Sequence, residues 1–279
     1  MRTIKVASTG GFCFGVERAV KLAVSALRDG PGPVHTLGPI IHNPQEVRRL
    51  ESMGLKMAGK VEDVSVGTVI IRSHGAPKEV VQDLKAGSLQ VVDATCPFVN
   101  RLRDRVISLG EEGYQVIIVG QSDHPEVMSI LSYAPDGSLV VQSVEELAEK
   151  GSLRSRVGVV AQTTHSIENL QRVAAYCVGV CSEVKAYRTT CQATQTRMQE
   201  ALALAREVDV MIVVGGRNSA NTTRLTEAAG REGTPTYHIE SAAEIEALSL
   251  PVDAVIGVTA GASTPSWVIE EVVQTLQAQ

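Results

Sequence analysis

The chain contains 279 residues, of which 44% are hydrophobic and 20% charged, and its formal net charge at pH 7 is −5. This composition is typical of a globular protein that buries a large core in one to three domains. The acidic balance and the aromatic content of 3% argue against a nucleic-acid-binding protein. No apolar run approaches the ~20 residues of a transmembrane helix, so we expect no membrane partner. The odd number of cysteines, five, favours free thiols in the cytoplasm over a disulfide framework.

A cysteine lies between a predicted strand and a predicted helix at three places in the chain. The predicted elements are residues 4–8 and 16–27 around Cys13, residues up to 93 and 100–110 around Cys96, and residues 184–187 and 195–208 around Cys191. Proline is favoured at the first position of a helix, so Pro97 predicts that Cys96 is an N-cap residue. The positive end of a helix dipole favours the thiolate, which is the nucleophilic and metal-binding form.

The three cysteines divide the chain cyclically into thirds that repeat one order of signals. Each third has a strand ending in glycine, a polar loop, a helix, a weak strand, an acidic turn, a strong strand with a second polar loop, a helix and a last strand. Uninterrupted apolar runs predict parallel strands that are buried on both faces. We predict an α/β fold of three units around a pseudo-threefold axis: residues 14–95, residues 96–190, and residues 191–279 completed by residues 1–13. The alternative is a single large doubly wound sheet.

We expect Cys13, Cys96 and Cys191 to converge, because they occupy the same position in each third. Three thiolates are suited to zinc or to three irons of a 4Fe–4S cluster. Structural zinc sites usually contain short Cys-x-x-Cys pairs, and the sequence has none. We therefore favour the cluster, with one open iron, over zinc or unrelated thiols. Cys177 and Cys181 lie in an apolar segment outside the repeated position and are predicted to be structural.

The polar loops carry compact hydrogen-bond donors at predicted helix starts, which favours a phosphate or diphosphate ligand. These residues are His42, His74, His124, Ser219, Asn221 and Ser263. The remaining histidines, His35, His165 and His238, fit scattered surface positions. No phosphate-binding Gly-rich motif of ATP or NAD sites is present. Glu126 is a candidate proton donor, since desolvation beside apolar strands favours a protonated carboxyl group.

Six motifs together resemble the 4-hydroxy-3-methylbut-2-enyl diphosphate reductase family over almost the whole chain. They are residues 11–16 (Gly-Phe-Cys-Phe-Gly-Val), 73–75 (Ser-His-Gly), 93–97 (Asp-Ala-Thr-Cys-Pro), 124–127 (His-Pro-Glu-Val), 162–164 (Gln-Thr-Thr) and 258–263 (Val-Thr-Ala-Gly-Ala-Ser). The resemblance implies a trefoil of three α/β domains around a 4Fe–4S cluster held by Cys13, Cys96 and Cys191. It also implies the last, reductive step of the non-mevalonate isoprenoid pathway, with ferredoxin or flavodoxin as the electron donor.

The resemblance further implies roles for individual residues. Substrate-binding residues would be His42, His74, His124, Thr163, Thr164, Ser219, Ala220, Asn221 and Ser263. Glu126, His124 and Thr163 would handle the substrate hydroxyl group and its protons. Ala220 departs from members that carry a second serine there, which puts one hydroxyl contact in doubt. Two other functions stay open: an iron–sulfur hydro-lyase, and a non-catalytic diphosphate-binding or metal-sensing protein on the same scaffold.

Overall fold

A computed structural model describes residues 2–279, in which strands and helices alternate along the chain. The strands are β1 (Thr3–Val6), β2 (Val34–Leu37), β3 (Leu55–Ala58), β4 (Thr68–Ile71), β5 (Gln90–Asp93), β6 (Gln115–Val119), β7 (Leu139–Val141), β8 (Arg156–Ala161), β9 (Glu183–Ala186), β10 (Val210–Val214), β11 (Thr236–Ile239) and β12 (Val255–Ala260). This alternation is the pattern of parallel α/β structures.

The helices connect successive parallel strands. They are α1 (Phe14–Asp29), α2 (Pro44–Ser52), α3 (Lys78–Ala86), α4 (Pro97–Glu111), α5 (Pro125–Leu131), α6 (Val144–Glu149), α7 (Ile167–Val180), α8 (Gln192–Ala205), α9 (Ala220–Arg231) and α10 (Ser266–Ala278), with 3-10 helices at Val61–Asp63 and Ala242–Ala247. Among residues 2–279, no helix is long and apolar enough to cross a membrane.

The strands form three four-stranded sheets, and every strand pair is parallel. The strand orders are β1-β12-β10-β11, β5-β4-β2-β3 and β9-β8-β6-β7. In each sheet an edge strand leads to a cysteine: β1 to Cys13, β5 to Cys96 and β9 to Cys191. These edge strands pair with β12, β4 and β8, respectively. The prediction of three small parallel α/β sheets is confirmed, and the alternative of one large sheet is wrong.

Five of the six middle strands are almost fully buried, as their apolar sequences predict, and β2 is partly buried. All five residues of β6 and all five of β10 are buried. Helix α4 buries a stripe of Val99, Leu102, Val106 and Leu109 against this core. Gly158 lets α4 approach β8 closely, because a Cβ atom there would lie 2.6 Å from the methyl carbons of Leu109. The buried core therefore fixes the positions of the strand ends. The polar loops that carry the candidate site residues begin at those ends.

The described residues group into two compact units. One contains the chain up to Glu17, Ile41–Met53 and Gln192–Gln279, and the other contains Arg18–Ile40 and Gly54–Cys191. The first includes the sheet with β1, and the second includes the other two sheets. The division into three units at the cysteines, and their arrangement around one axis, stay predictions.

Candidate functional site

Each of the three repeated cysteines lies directly before a helix and makes the same backbone contact. The amide N–H of Cys13 donates to the carbonyl oxygen of Ala262 at 3.0 Å, that of Cys96 to Ser73 at 3.0 Å, and that of Cys191 to Thr163 at 2.7 Å. The acceptor is in every case the second residue after the neighbouring strand, β12, β4 or β8. The predicted N-cap position of Cys96 is confirmed. The three cysteines are therefore equivalent in local structure as well as in sequence.

The donor set of these three positions fits an iron–sulfur cluster. All three cysteines are half-buried, and thiolate is the usual protein ligand of such clusters. Among residues 2–279, no three His, Cys, Asp or Glu side chains are grouped around a point where a single metal ion would bind. A cluster does not require such a group, because each thiolate binds a different iron. The convergence of the three cysteines stays a prediction.

Cys177 and Cys181 have the surroundings predicted for structural residues. Cys177 is fully buried and packs among residues of β6, β8 and α7. Burial, with a smaller contribution from Cys181, raises the pKa of the Cys177 thiol from 9.0 to about 11. Burial also raises the pKa of the Cys181 thiol. A thiol that resists deprotonation is a poor metal ligand, and this agrees with their exclusion from the predicted ligand set.

Glu126 and Thr163 form the most buried polar pair among the candidate residues. Glu126 is 2% exposed, in the first turn of α5. One carboxylate oxygen accepts the Thr163 backbone N–H at 2.6 Å, and the other accepts the Thr163 hydroxyl at 2.7 Å. The carbonyl oxygen of Thr163 in turn accepts the N–H of Cys191. A buried carboxylate is thus connected through one residue to a candidate cluster ligand.

His74 and His124 lie next to this pair on neighbouring loops. Their ring centroids are 5.6 Å apart, with the rings at 82° to each other. Nδ1 of His124 accepts the backbone N–H of Glu126 at 3.1 Å, so the imidazole caps the helix that carries the glutamate. Gly75 adopts a φ of +78° and lies against Ser129, whose hydroxyl donates to the Ala76 carbonyl at 2.9 Å. The loop of His74 is therefore fastened to α5.

A second group of candidate residues lies in the other compact unit, on the loops after β10 and β12 and, for His42, on the loop between β2 and α2. The Ser263 hydroxyl donates to the His42 carbonyl oxygen at 2.9 Å. Ser219 caps α9, and its hydroxyl accepts the N–H of Thr222 at 3.4 Å. Ala220 is the first residue of that helix, so its backbone N–H has no acceptor within the helix and can bind an anion. The structure brings His42, Ser219, Asn221 and Ser263 onto adjoining loops.

Asn221 carries a buried donor that has no acceptor among the described residues. Its side chain is 8% exposed, and its Nδ2 atom makes no hydrogen bond. A buried N–H without a partner costs free energy, typically ~1–3 kcal/mol, unless a bound group satisfies it. A diphosphate oxygen is a suitable acceptor. Asn221 therefore fits the predicted anion site by its unmet hydrogen-bonding capacity.

Sequence reasoning missed the buried side chain of Gln162 as a link between loops. Its Oε1 accepts the Gln121 N–H at 3.1 Å, and its Nε2 donates to the Thr164 hydroxyl at 3.0 Å. The signal was present, because the glutamine directly follows the apolar strand β8. The expectation that His165 is a surface residue is wrong. It is 8% exposed, and its Nδ1 accepts the Ser166 N–H at 2.9 Å.

Glu200 on α8 binds the segment that leads to Cys13. Its carboxylate accepts hydrogen bonds from the backbone N–H and the hydroxyl groups of both Ser8 and Thr9. Burial would raise the pKa of Glu200, but these hydrogen bonds outweigh it and lower the pKa from 4.5 to about 2. A carboxylate with a depressed pKa contributes stability above pH 4.5, and that contribution is lost as the pH falls toward 2.

The free energy of unfolding should therefore fall more steeply between pH 4.5 and 2 in the wild type than in Glu200→Gln. We expect a difference on the order of 1–2 kcal/mol after allowing for the partial exposure of Glu200. Urea unfolding of the metal-free chain at several pH values measures it. Glu207→Gln, at an exposed ion pair with Lys5, is the control and should leave the profile unchanged. Parallel profiles for wild type and Glu200→Gln would contradict the prediction.

The family model for the LytB protein matches residues 4–277 of this chain. The chain belongs to the LytB family. A curated relative from Geobacter sulfurreducens, named 4-hydroxy-3-methylbut-2-enyl diphosphate reductase, is 49% identical over 98% of this chain and 96% of its own length. A relative of the same name from Pelobacter propionicus is 48% identical over the same shares of the two chains.

Two solved structures are similar to this chain. One is (E)-4-hydroxy-3-methyl-but-2-enyl diphosphate reductase, described as the terminal enzyme of the non-mevalonate pathway; it is 44% identical over both full chains, with a TM-score of 0.75. The other is an E-1-hydroxy-2-methyl-but-2-enyl-4-diphosphate reductase from Plasmodium falciparum, at 24% identity over 99% of this chain and 88% of the other, with a TM-score of 0.91. The second likeness concerns the fold alone. Both agree with the parallel α/β architecture described above.

Proposed function

We propose that this chain reduces 4-hydroxy-3-methylbut-2-enyl diphosphate to isopentenyl and dimethylallyl diphosphate. The reaction removes the hydroxyl group as water and consumes two electrons and two protons. The family membership and the names of close relatives support this substrate and chemistry. The observation that carries the proposal is the buried Glu126 carboxylate, which both donors of Thr163 hold in place.

The three equivalent cysteines are the residues that would hold a cofactor. Cys13, Cys96 and Cys191 share one backbone setting, and thiolates favour iron–sulfur clusters. A bound 4Fe–4S cluster would pass the two electrons of the reaction, one at a time, from an external donor to the substrate. The protein's part is to fix the thiolates at the starts of three helices, where the helix dipoles favour negative charge.

The loops that carry donors would bind the diphosphate group of the substrate. Asn221 offers a buried N–H without an acceptor, and the N-terminus of α9 offers backbone amides. His42 and His74 add imidazole groups, which suit an anion when protonated. Thr164 and Ser263 contribute hydroxyl groups. These contacts bind a part of the substrate that does not react.

Glu126 would supply the proton that lets the hydroxyl group leave as water. Hydroxide is a poor leaving group, and a positioned acid typically accelerates such a step by about 10²–10⁴-fold. The Thr163 hydroxyl can donate and accept at once, so it can pass a proton between the carboxyl group and the substrate. His124, which caps the same helix, would orient the substrate hydroxyl beside them.

Replacing His74 by asparagine should raise KM at least several-fold and change kcat little, because it removes uniform binding of the diphosphate. His42→Asn should behave in the same way. Steady-state kinetics with an artificial reductant measure both parameters. His35→Asn, on β2 away from the polar loops, is the control and should leave KM unchanged. A large loss of kcat at unchanged KM would assign the histidine to the chemical step instead.

Anaerobic incubation with substrate and reduced methyl viologen, followed by identification of the products, tests the function. The proposal expects the two isoprenoid diphosphates. We expect the physiological donor to be ferredoxin or flavodoxin and the reaction to take place in the cytoplasm. An iron–sulfur hydro-lyase would give a dehydrated or hydrated product without using the reductant. A non-catalytic diphosphate-binding protein would bind the substrate and give no product.

A further inference from the structure

Arg197 lies in the middle of α8 and binds the backbone that leads to Cys13. Its Nε donates to the Thr9 carbonyl at 2.8 Å, and its Nη2 donates to the Gly11 carbonyl at 2.7 Å. The side chain is only 4% exposed. Glu200, one turn further along α8, holds the N–H and hydroxyl groups of Ser8 and Thr9. One helix thus binds both the donors and the acceptors of this segment.

The segment before Cys13 has little other freedom. Gly11 adopts a φ of +106°, and a Cβ atom there would lie 3.3 Å from Ile269. The N–H of Cys13 is bound to Ala262. The Arg197 guanidinium and the Glu200 carboxylate therefore add to the contacts that hold this segment. Helix α8 begins immediately after a different cysteine, Cys191.

Arg18 makes the corresponding contact for Cys96. It lies on α1, the helix that follows Cys13, and its two Nη atoms donate to the carbonyl oxygens of Thr95 and Asp93 at 3.2 and 3.3 Å. The Asp93 carboxylate accepts the Thr95 N–H at 2.8 Å, which closes the turn from inside. The helix after the first cysteine therefore holds the segment before the second.

A weaker contact completes the cycle at Cys191. Arg105 lies on α4, the helix that follows Cys96, and its guanidinium stacks over the Tyr187 ring at 4.8 Å. Tyr187 follows β9, four residues before Cys191. Each helix that follows one of the three cysteines (α1, α4 and α8) thus carries an arginine. That arginine contacts the segment leading to the next cysteine in the cyclic order of the repeats. A cation–π contact is weaker and less directional than two hydrogen bonds to carbonyl oxygens.

We propose that Arg197 and Arg18 are positioning residues for Cys13 and Cys96, so that each cysteine is placed by the helix of the preceding one. Metal ligands depend on the groups that orient them, and loss of such a group typically weakens metal binding by ~10–100-fold. The inference rests on the proposed function for the role of the cysteines as ligands. The contacts themselves do not depend on the substrate or the reaction.

Thiol labelling of the full-length chain without metal tests this placement. The rate of iodoacetamide labelling is measured for Cys13, Cys96 and Cys191 separately by peptide mass spectrometry. Arg197→Gln should speed labelling of Cys13 several-fold and leave Cys96 and Cys191 unchanged. Arg18→Gln should do the same to Cys96 and leave Cys13 unchanged, although Arg18 lies nearer to Cys13 in the sequence. Arg206→Gln and Arg28→Gln, at exposed ion pairs, are the controls.

A second readout uses the iron-loaded protein. Release of iron to a chelator should be ~10-fold faster in both arginine variants and unchanged in the controls. If Arg197→Gln does not fold, Glu200→Gln should still act on Cys13 alone. The proposal would be overturned if labelling became equally faster at all three cysteines, or if no labelling rate changed. It would also be overturned if each variant acted on the cysteine directly before its own helix, which is Cys191 for Arg197 and Cys13 for Arg18. Because labelling needs no substrate, failure of the proposed reaction would leave this result unaffected.

Discussion

Replacing Glu126 by glutamine should lower kcat at least ~100-fold while substrate binding changes little. Glutamine keeps the shape and one of the two acceptor oxygens that Thr163 uses, but it has no acidic proton to give to the departing hydroxyl group. Glu126 is 2% exposed, so bulk water is poorly placed to replace that acid. The loss should therefore appear in the chemical step.

Turnover with an artificial reductant measures kcat, and the visible spectrum shows whether the cluster is retained. Glu46→Gln is a matched control, because Glu46 is also a buried carboxylate in the first turn of a helix that begins with proline. It pairs with Arg49 rather than with a candidate site residue, so this variant should keep its kcat. Near wild-type turnover in Glu126→Gln would reduce Glu126 to a residue of the helix start and leave the acid unidentified.

Serine at Cys13, Cys96 or Cys191 should abolish turnover and remove the colour of an iron–sulfur cluster. A serine hydroxyl is a hard oxygen ligand that stays protonated near neutral pH, whereas iron–sulfur clusters favour soft thiolate ligands. Iron and acid-labile sulfide content, measured after anaerobic purification, gives the result independently of activity.

Cys177→Ser is the control for these three variants. Cys177 is fully buried and its pKa is raised to about 11, so we expect a loss of stability without a loss of the cluster. Full iron content and turnover in one of the three ligand variants would remove that cysteine from the proposed set. Loss of iron in Cys177→Ser would show that the repeated position is not what selects the ligands.

Much of the fold could be predicted because its signals are local. Apolar runs indicate the buried middle strands, for example β6 and β12, since burial on both faces requires an uninterrupted run. Helix α8 ends at Ala205, three residues before the predicted end, where the Glu207 N–H bonds the Leu204 carbonyl in a tight turn. The cysteine repeat predicted three sheets, and their identical strand order confirms it.

The contacts that hold the candidate site could not be predicted in the same way. Arg197 and Gly11 are 186 residues apart in the sequence, and Arg18 and Thr95 are 77 apart. Nothing local distinguishes these arginines from solvated ones, except that Arg197 shares a helix face with the buried Ala201 and Ala205. His165 was wrongly predicted to be exposed for a related reason. The loop after β8 is largely buried, and no local sequence signal shows this.

The stoichiometry of electrons to product tests the proposed reductive dehydroxylation most directly. Purified anaerobic protein is mixed with substrate and reduced methyl viologen, and oxidised dye and isoprenoid diphosphate are counted in the same sample. Because each dye molecule gives one electron, the proposal predicts two oxidised dye molecules for every product molecule. Product formed without oxidation of the dye, or bound substrate without any product, would contradict it.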